Sequence, residues 1–156
     1  METKLPDATD WRILDELQHN ARVHFGELAD KLGIGEAEFE SRVKRMETDG
    51  IITGYRADID PRKAGYGISA MISVSVEDKA QDQIINDALA GNPEVTACWS
   101  VTGASDFLLE AHAPSLEFLE ELLNELAKYG RLTTSIVLPR YAKRRTILPP
   151  RESMTD

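Results

Sequence analysis

The chain has 156 residues, 42% of them hydrophobic, and a formal net charge of −9. This length admits one or two domains with a core of useful size, while the acidic balance argues against a generic nucleic-acid binder, because an acidic protein repels phosphate at long range. No apolar run is long enough to cross a bilayer, the N-terminal METKLPDATDW has no apolar leader, and the single cysteine, Cys98, excludes an intramolecular disulfide, so the expectation is a cytoplasmic protein with no membrane partner.

The first predicted helix begins near Thr9 or Asp10, either of which is a plausible N-cap, and ends near Asn20. Ile13, Leu14 and Leu17 form its inner face. Residues 25–55 then read as two helices joined by a glycine-containing turn and followed by a short strand. The first of the pair carries Leu28, Ala29 and Leu32, the turn is Gly33-Ile34-Gly35, and the second carries Phe39, Val43 and Met46 on one face. Gly50 falls just past its C-terminus. A helix pair with a tight glycine turn is the shape that sets a second helix in a DNA major groove, and the preceding helix supplies the third member such a domain needs for a core.

Opposite the apolar stripe, helical periodicity turns Ala37, Glu38, Ser41, Lys44 and Arg45 outward, with Glu40 and Arg42 at the edges. Ser41, Arg42, Lys44 and Arg45 suit phosphate and base contact, and Glu38 can accept from a cytosine amine. The same charge mix also fits an ordinary solvated helix face. Residues 1–60 hold eight Lys/Arg against fourteen Asp/Glu, a balance of −6, so contact with DNA depends on a local basic patch, for which Lys44, Arg45, Arg42 and Arg22 are the candidates, on avidity from several copies, or on high salt.

Residues 51–59 read as a strand interrupted by Gly54, broken by Asp60-Pro61, and residues 62–67 as a linker. Residues 70–76 alternate as a half-buried strand. Residues 79–90 are helical, with Ile84, Ile85, Ala88 and Leu89 on one side. Residues 95–101 form a strand with Val95, Ala97, Trp99 and Val101 on one face. A turn at 102–106 leads into a strand over 107–113, then a helix with Leu116, Leu119, Leu123 and Leu126 at helical spacing, and a last strand over 133–138. The order βαββαβ is that of the ferredoxin-like sandwich, with both helices on one face of an antiparallel sheet. The other face collects Cys98, Ser100, Leu108, His112, Ser135 and Val137, a mixture suited to packing against a second copy, or else an ordinary wet sheet face.

Residues 7–149 resemble the Lrp/AsnC family of transcription regulators. The resemblance rests on Leu28-Ala29 with Leu32-Gly33, Arg42-Val43-Lys44-Arg45-Met46-Glu47 with Gly50-Ile51-Ile52, and Gly54-Tyr55. It continues through Asp60-Pro61, Gly65-Tyr66, Pro93-Glu94-Val95, Cys98, Val101-Thr102-Gly103, Asp106-Phe107-Leu108-Leu109 and Ala113-Pro114, and ends on Thr133-Thr134-Ser135-Ile136-Val137-Leu138. It implies an α+β protein with an N-terminal three-helix, winged-type helix-turn-helix domain over 1–52 and a β-strand linker over 53–67. A ferredoxin-like effector-binding and oligomerisation domain follows over 68–148, and a tail over 149–156. It further implies double-stranded DNA as partner, a homodimer that can assemble into tetramers or octamers, and a small-molecule effector, usually an amino acid. Carried over residue by residue, the implied DNA contacts are Ala37, Glu38, Ser41, Arg42, Lys44 and Arg45. The implied effector site is Ser100, Thr102, Gly103, Ala104, Asp106, Thr134, Ser135 and Ile136. Turn amides there suit a carboxylate and Asp106 suits an ammonium, although a turn aspartate also commonly bonds local backbone.

Two departures stand out. Where the family often has a serine at the start of the recognition helix, this chain has Gly35-Glu36-Ala37-Glu38, and acidic residues there favour the helix dipole but oppose a phosphate. Residues 128–132 also form a shorter connection than the family's usual one. Rival readings are an effector-binding oligomer that has lost DNA binding, and an enzyme resembling siroheme decarboxylase on the same architecture. His19, His24 and His112 have no metal-ligand spacing, so no catalytic residue, metal or cofactor is assigned.

Overall fold

The computed structural model describes residues 4–76, 82–138 and 145–150, the side chains of Asp82 and Ile84 excepted. The chain divides into two compact units between Ala57 and Asp58, and the described C-terminal residues 145–150 belong with the first. Gln18 joins that segment to the first unit: its Nε2 donates to the Ile147 carbonyl at 3.1 Å and its Oε1 accepts from the Ile147 N–H at 2.7 Å.

The first unit is three helices, α1 (Ala8–His19), α2 (Phe25–Leu32) and α3 (Glu36–Thr48). Helix α1 starts earlier than its sequence implies, because Asp7, not Thr9 or Asp10, is the N-cap. Asp7 and Asp10 form a reciprocal capping box in which each side chain accepts the other's N–H at 2.9 Å. Ile13, Leu14 and Leu17 face Leu28, Ala29 and Leu32 of α2 and Phe39, Val43 and Met46 of α3 in one core. The Phe25 and Phe39 rings meet at 5.2 Å. Gly33 closes α2 at φ +71, where a side chain would be strained, and this lets the chain reverse into α3. Arg12 reaches from α1 to the Leu32 carbonyl at 3.0 Å, satisfying an acceptor at the same helix end.

The strand expected over 51–59 does not form; the backbone there has no ladder partner among the described residues. Ile51 and Ile52 instead donate their N–H groups to the Met46 carbonyl, and Tyr55 is tied to α3 by its hydroxyl donating to Glu47 at 2.9 Å.

The second unit is a four-stranded antiparallel sheet in the order β2-β3-β1-β4, from β1 (Ile68–Ser75), β2 (Val95–Ser100), β3 (Phe107–Ala113) and β4 (Arg131–Ile136). Helices α4 (Asp82–Ala90) and α5 (Leu116–Leu126) cover one face, the ferredoxin-like arrangement. The core alternates along the central strands: Ala70, Ile72 and Val74 from β1, with Phe107, Leu109, Ala111 and Ala113 from β3. Helix α5 buries Leu119, Leu122 and Leu126, while Leu116 is exposed, so its inner stripe is rotated from the expected one. In α4, Ile85 and Leu89 are buried and Ala88 is exposed; the expected helical residues 79–81 lie outside the described residues. Gly130 turns the chain from α5 into β4 directly over β1, and a Cβ there would overlap the Ser75 carbonyl. The short connection is thus tight enough to require glycine.

A β-bulge between Val95 and Ala97 resets the faces of β2. Beyond it Cys98 pairs with Leu109 and packs onto the helix-covered core, its thiol raised above the ordinary range by burial. Trp99 pairs with Leu108 and is 44% exposed on the open face. Simple alternation predicts the reverse for Cys98, Ser100 and Trp99. One extra residue in a strand of period two moves every following side chain across the sheet. Among the described residues, no helix is long and apolar enough to cross a membrane.

Candidate functional site

Helix α3 offers Ala37, Glu38, Glu40, Ser41 and Lys44 to solvent. Its N-terminus is capped by Gly35 with no side-chain bond, and Glu36 and Glu38 sit in the first turn. Lys44 is exposed and has no ion-pair partner among the described residues.

Arg42 and Arg45 are placed differently from the sequence expectation that they border or join the outward face. Both reach back to α1 and are only about a quarter exposed. Arg42 donates from Nη1 to Asp7 Oδ2 at 2.8 Å and Asp10 Oδ1 at 3.0 Å, and from Nε to Glu38 Oε1 at 2.9 Å. Arg45 donates from Nη2 to Asp10 Oδ2 at 2.5 Å, and its Nη1 lies 3.8 Å from Asp49 Oδ2. The cause is Asp10, which is 0% exposed. A carboxylate so deeply buried persists only when paired and fully hydrogen-bonded, and two guanidiniums plus the Asp7 N–H supply this. Helical periodicity places the arginines on α3 but carries no information about the capping box of α1 beside them. The hydrogen bond from Arg42 is the main reason the Asp7 carboxyl is held down at about 2. On the far side of α3, burial first and the Glu47 carboxylate second push the Tyr55 phenol up to about 12.

In the sheet unit the hairpin turn places Thr102, Gly103 and Ala104 in solvent, with Gly103 at φ +129. The turn leans on the end of β1: Ser75 Oγ donates to the Ala104 carbonyl at 3.0 Å, and Asp106 Oδ2 accepts from the Val76 N–H at 3.0 Å. Asp106 thus bonds backbone, as turn aspartates do, here that of a residue thirty positions away.

The remaining expected effector residues are not gathered there within one chain. Thr134 pairs with Ile72 and Ser135 with Met71 on β4, so strand β1 separates them from the turn. Ser100 lies on β2 at the opposite edge of the sheet, on the helix side. Adjacent strands lie roughly 4.8 Å apart, which puts β2 and β4 about 14 Å from each other, too far for one small molecule to bridge. Thr134 and Ile136 also lie on the helix side, whereas Ser135 points to the open face.

The open face carries Met71, Trp99, Leu108, Glu110, His112 and Ser135. His112 is anchored, its Nδ1 2.8 Å from Ser69 Oγ and its ring 6.4 Å from that of Tyr66. A 410 Å³ cleft beside it is lined by Asp58, Asp60, Arg62, Glu110, Val137 and Leu138, among others. Sequence reasoning does not find this cleft, because residues 58–62 have no periodic signal that would place them beside the strands. Among the described residues no group of His, Cys, Asp and Glu is arranged to hold a metal ion.

Two family profiles match the chain: "Lrp/AsnC ligand binding domain" over residues 69–147 and "Winged helix-turn-helix DNA-binding" over residues 6–53. Among curated proteins, the proline dehydrogenase transcriptional activator of Rhodobacter capsulatus is 36% identical over 125 residues, covering 79% of this chain and 81% of that protein. Among solved structures, the feast or famine regulatory protein from M. tuberculosis complexed with L-methionine superposes with a TM-score of 0.85 at 30% identity, covering 92% of this chain and 99% of that one. AsnC of E. coli superposes with a TM-score of 0.82 at 30% identity, covering 94% and 100%.

Proposed function

This chain belongs to the Lrp/AsnC family of transcription regulators, and from that premise we propose that α3 enters the DNA major groove and that a free amino acid adjusts the binding. The chain is a DNA-binding regulator responsive to a small molecule, not an enzyme. The observation that supports the DNA reading most directly is the outward row Ala37, Ser41 and Lys44 on a helix whose other side is locked into the core. Lys44 and Ser41 suit phosphate or a base edge, Ala37 allows close approach, and Glu38, beyond its bond to Arg42, has the chemistry to accept from a cytosine amine. Arg42 and Arg45 lie at the rim, where their first task is to orient α3 against α1.

Retardation of a duplex from the chain's own upstream region tests this. Lys44→Ala is expected to lower the log–log salt slope by about 0.9 for each phosphate that Lys44 neutralises. If Lys44→Ala binds as wild type at every salt concentration, α3 is not the reading helix.

For the effector, the turn 102–106 and the strand residues Thr134, Ser135 and Ile136 would have to come from different subunits, since one chain keeps them apart. An amino acid has a carboxylate, suited to the turn amides and the Thr134 or Ser135 hydroxyl, and an ammonium, suited to Asp106. The M. tuberculosis relative is complexed with L-methionine, which makes that amino acid the first to try. Losing Asp106 would cost roughly 2–5 kcal/mol if the pair is desolvated, readable by calorimetry on Asp106→Ala. Equal binding by variant and wild type would remove Asp106 from the site. The same arrangement requires at least a dimer, with the open faces around Leu108 and Trp99 packed together. A stable 17.4 kDa monomer in light scattering at micromolar concentration would contradict it.

A further inference from the structure

We propose that Asp7 is an internal competitor for DNA phosphate, occupying the Arg42 guanidinium until DNA displaces it. This rests on the reading of α3 as the DNA-facing helix. The two carboxylate oxygens of Asp7 have separate tasks: Oδ1 accepts the Asp10 N–H and caps α1, while Oδ2 accepts from Arg42 Nη1 at 2.8 Å. The second bond is the one open to exchange. The Asp7 side chain is 44% exposed, and so is within reach of solvent and polyanions, whereas the other carboxylate on Nη1, that of Asp10, is sealed in the core.

A phosphate oxygen presents a guanidinium with the same charge and acceptor geometry as a carboxylate oxygen. A duplex laid along Ser41 and Lys44 therefore meets Arg42 already carrying a partner. Asp10 on Nη1 and Glu38 on Nε keep Arg42 in place during the exchange, so the guanidinium changes its outer partner on Nη1 without leaving the fold. Among the described residues Arg45 has no comparable outer carboxylate at short range, Asp49 being 3.8 Å away. The competition is thus specific to Arg42, and it lowers affinity for every sequence alike, because phosphate carries no sequence information.

Asp7→Asn separates the two tasks. Asparagine is as good an N-cap as aspartate, so its Oδ1 keeps α1 capped while its amide offers Arg42 no negative charge. On a duplex of random sequence, Asp7→Asn is expected to bind about two- to fivefold tighter at moderate salt, the range of an exposed ion pair. Its salt slope should be steeper by about 0.9 for each Arg42 engaged. Asp7→Ser, another capping residue, should do the same, and its melting curve shows whether the fold is kept. Removing one negative charge anywhere near DNA also helps binding, so two comparisons decide the cause. Glu40→Gln, on the same helix but not bonded to Arg42, should leave the slope at the wild-type value. In an Arg42→Lys or Arg42→Gln background that melts cooperatively, Asp7→Asn should lose its effect with Gln and retain part of it with Lys. A slope unchanged by Asp7→Asn and Asp7→Ser, or an equal gain from Glu40→Gln, overturns the proposal. Failure of the wild type to bind any duplex instead overturns the reading of α3, and the proposal with it.

Discussion

The helical unit encloses a carboxylate, Asp10, and surrounds it with two arginines and a backbone N–H, whereas the sheet unit buries no charged side chain among its described residues. The helical unit orients its parts by ionic hydrogen bonds around a small apolar core; the sheet unit relies on apolar alternation and strand ladders. The difference fits the tasks assigned to each. A reading helix needs a fixed angle and depth, which directional bonds from Arg42 and Arg45 supply. A sheet proposed to meet a second copy needs one closed face and one free face, which alternation supplies.

The largest effect should come from Asp10. Asp10→Ala leaves Arg42 and Arg45 facing a dry space, and breaking a buried ionic cluster costs about 3–5 kcal/mol. Urea melts followed by helical circular dichroism should show a large fall in midpoint. A destabilisation below about 1 kcal/mol would mean that the network does not hold the unit together.

Next comes Gly130 in the other unit. Gly130→Ala forces β4 away from the Ser75 carbonyl and should cost about 1–3 kcal/mol by overpacking. The fall should be as large at high salt as at low salt, whereas part of the Asp10 and Asp7 effects should be salt-sensitive. Equal salt dependence in both units would erase the contrast between them.

The smallest effect is a pH dependence from Asp7. Its folded value of about 2 lies below the ordinary 3.8, so its contribution is complete above pH 4 and is lost as pH falls through 2. Because Asp7 is 44% exposed, screening keeps this below about 1 kcal/mol. Asp7→Asn should flatten the stability profile between pH 4 and 2; an unchanged profile would show that Arg42 does not hold Asp7 down.

Much of the architecture is legible in the residues. The spacing of Phe39, Val43 and Met46, the turn at Gly33, and the alternation through Ile72 and Val74 each report a period that the backbone obeys. What escapes are features set by neighbours distant in sequence. The bulge at Val95–Ala97 reverses the faces of Cys98 and Trp99, and no local pattern announces an unpaired residue. Residues 51–59 have strand-like composition, but a strand needs a ladder partner. Arg42 and Arg45 lie near the solvent side of a helical wheel, yet a buried aspartate on another helix recruits both. For the effector set, the resemblance points to residues that one sheet distributes over two edges and two faces, and no pattern within one chain reports where such residues could meet.

The most direct test of regulation by a small molecule is the affinity of the purified chain for its own upstream duplex, measured by fluorescence anisotropy with and without each common amino acid. Wild type is expected to bind the duplex, and at least one amino acid should shift the Kd by about fivefold or more, the lower end of ordinary allosteric coupling. A duplex affinity that no amino acid changes, at concentrations where calorimetry shows the amino acid bound, would contradict regulation by an amino acid.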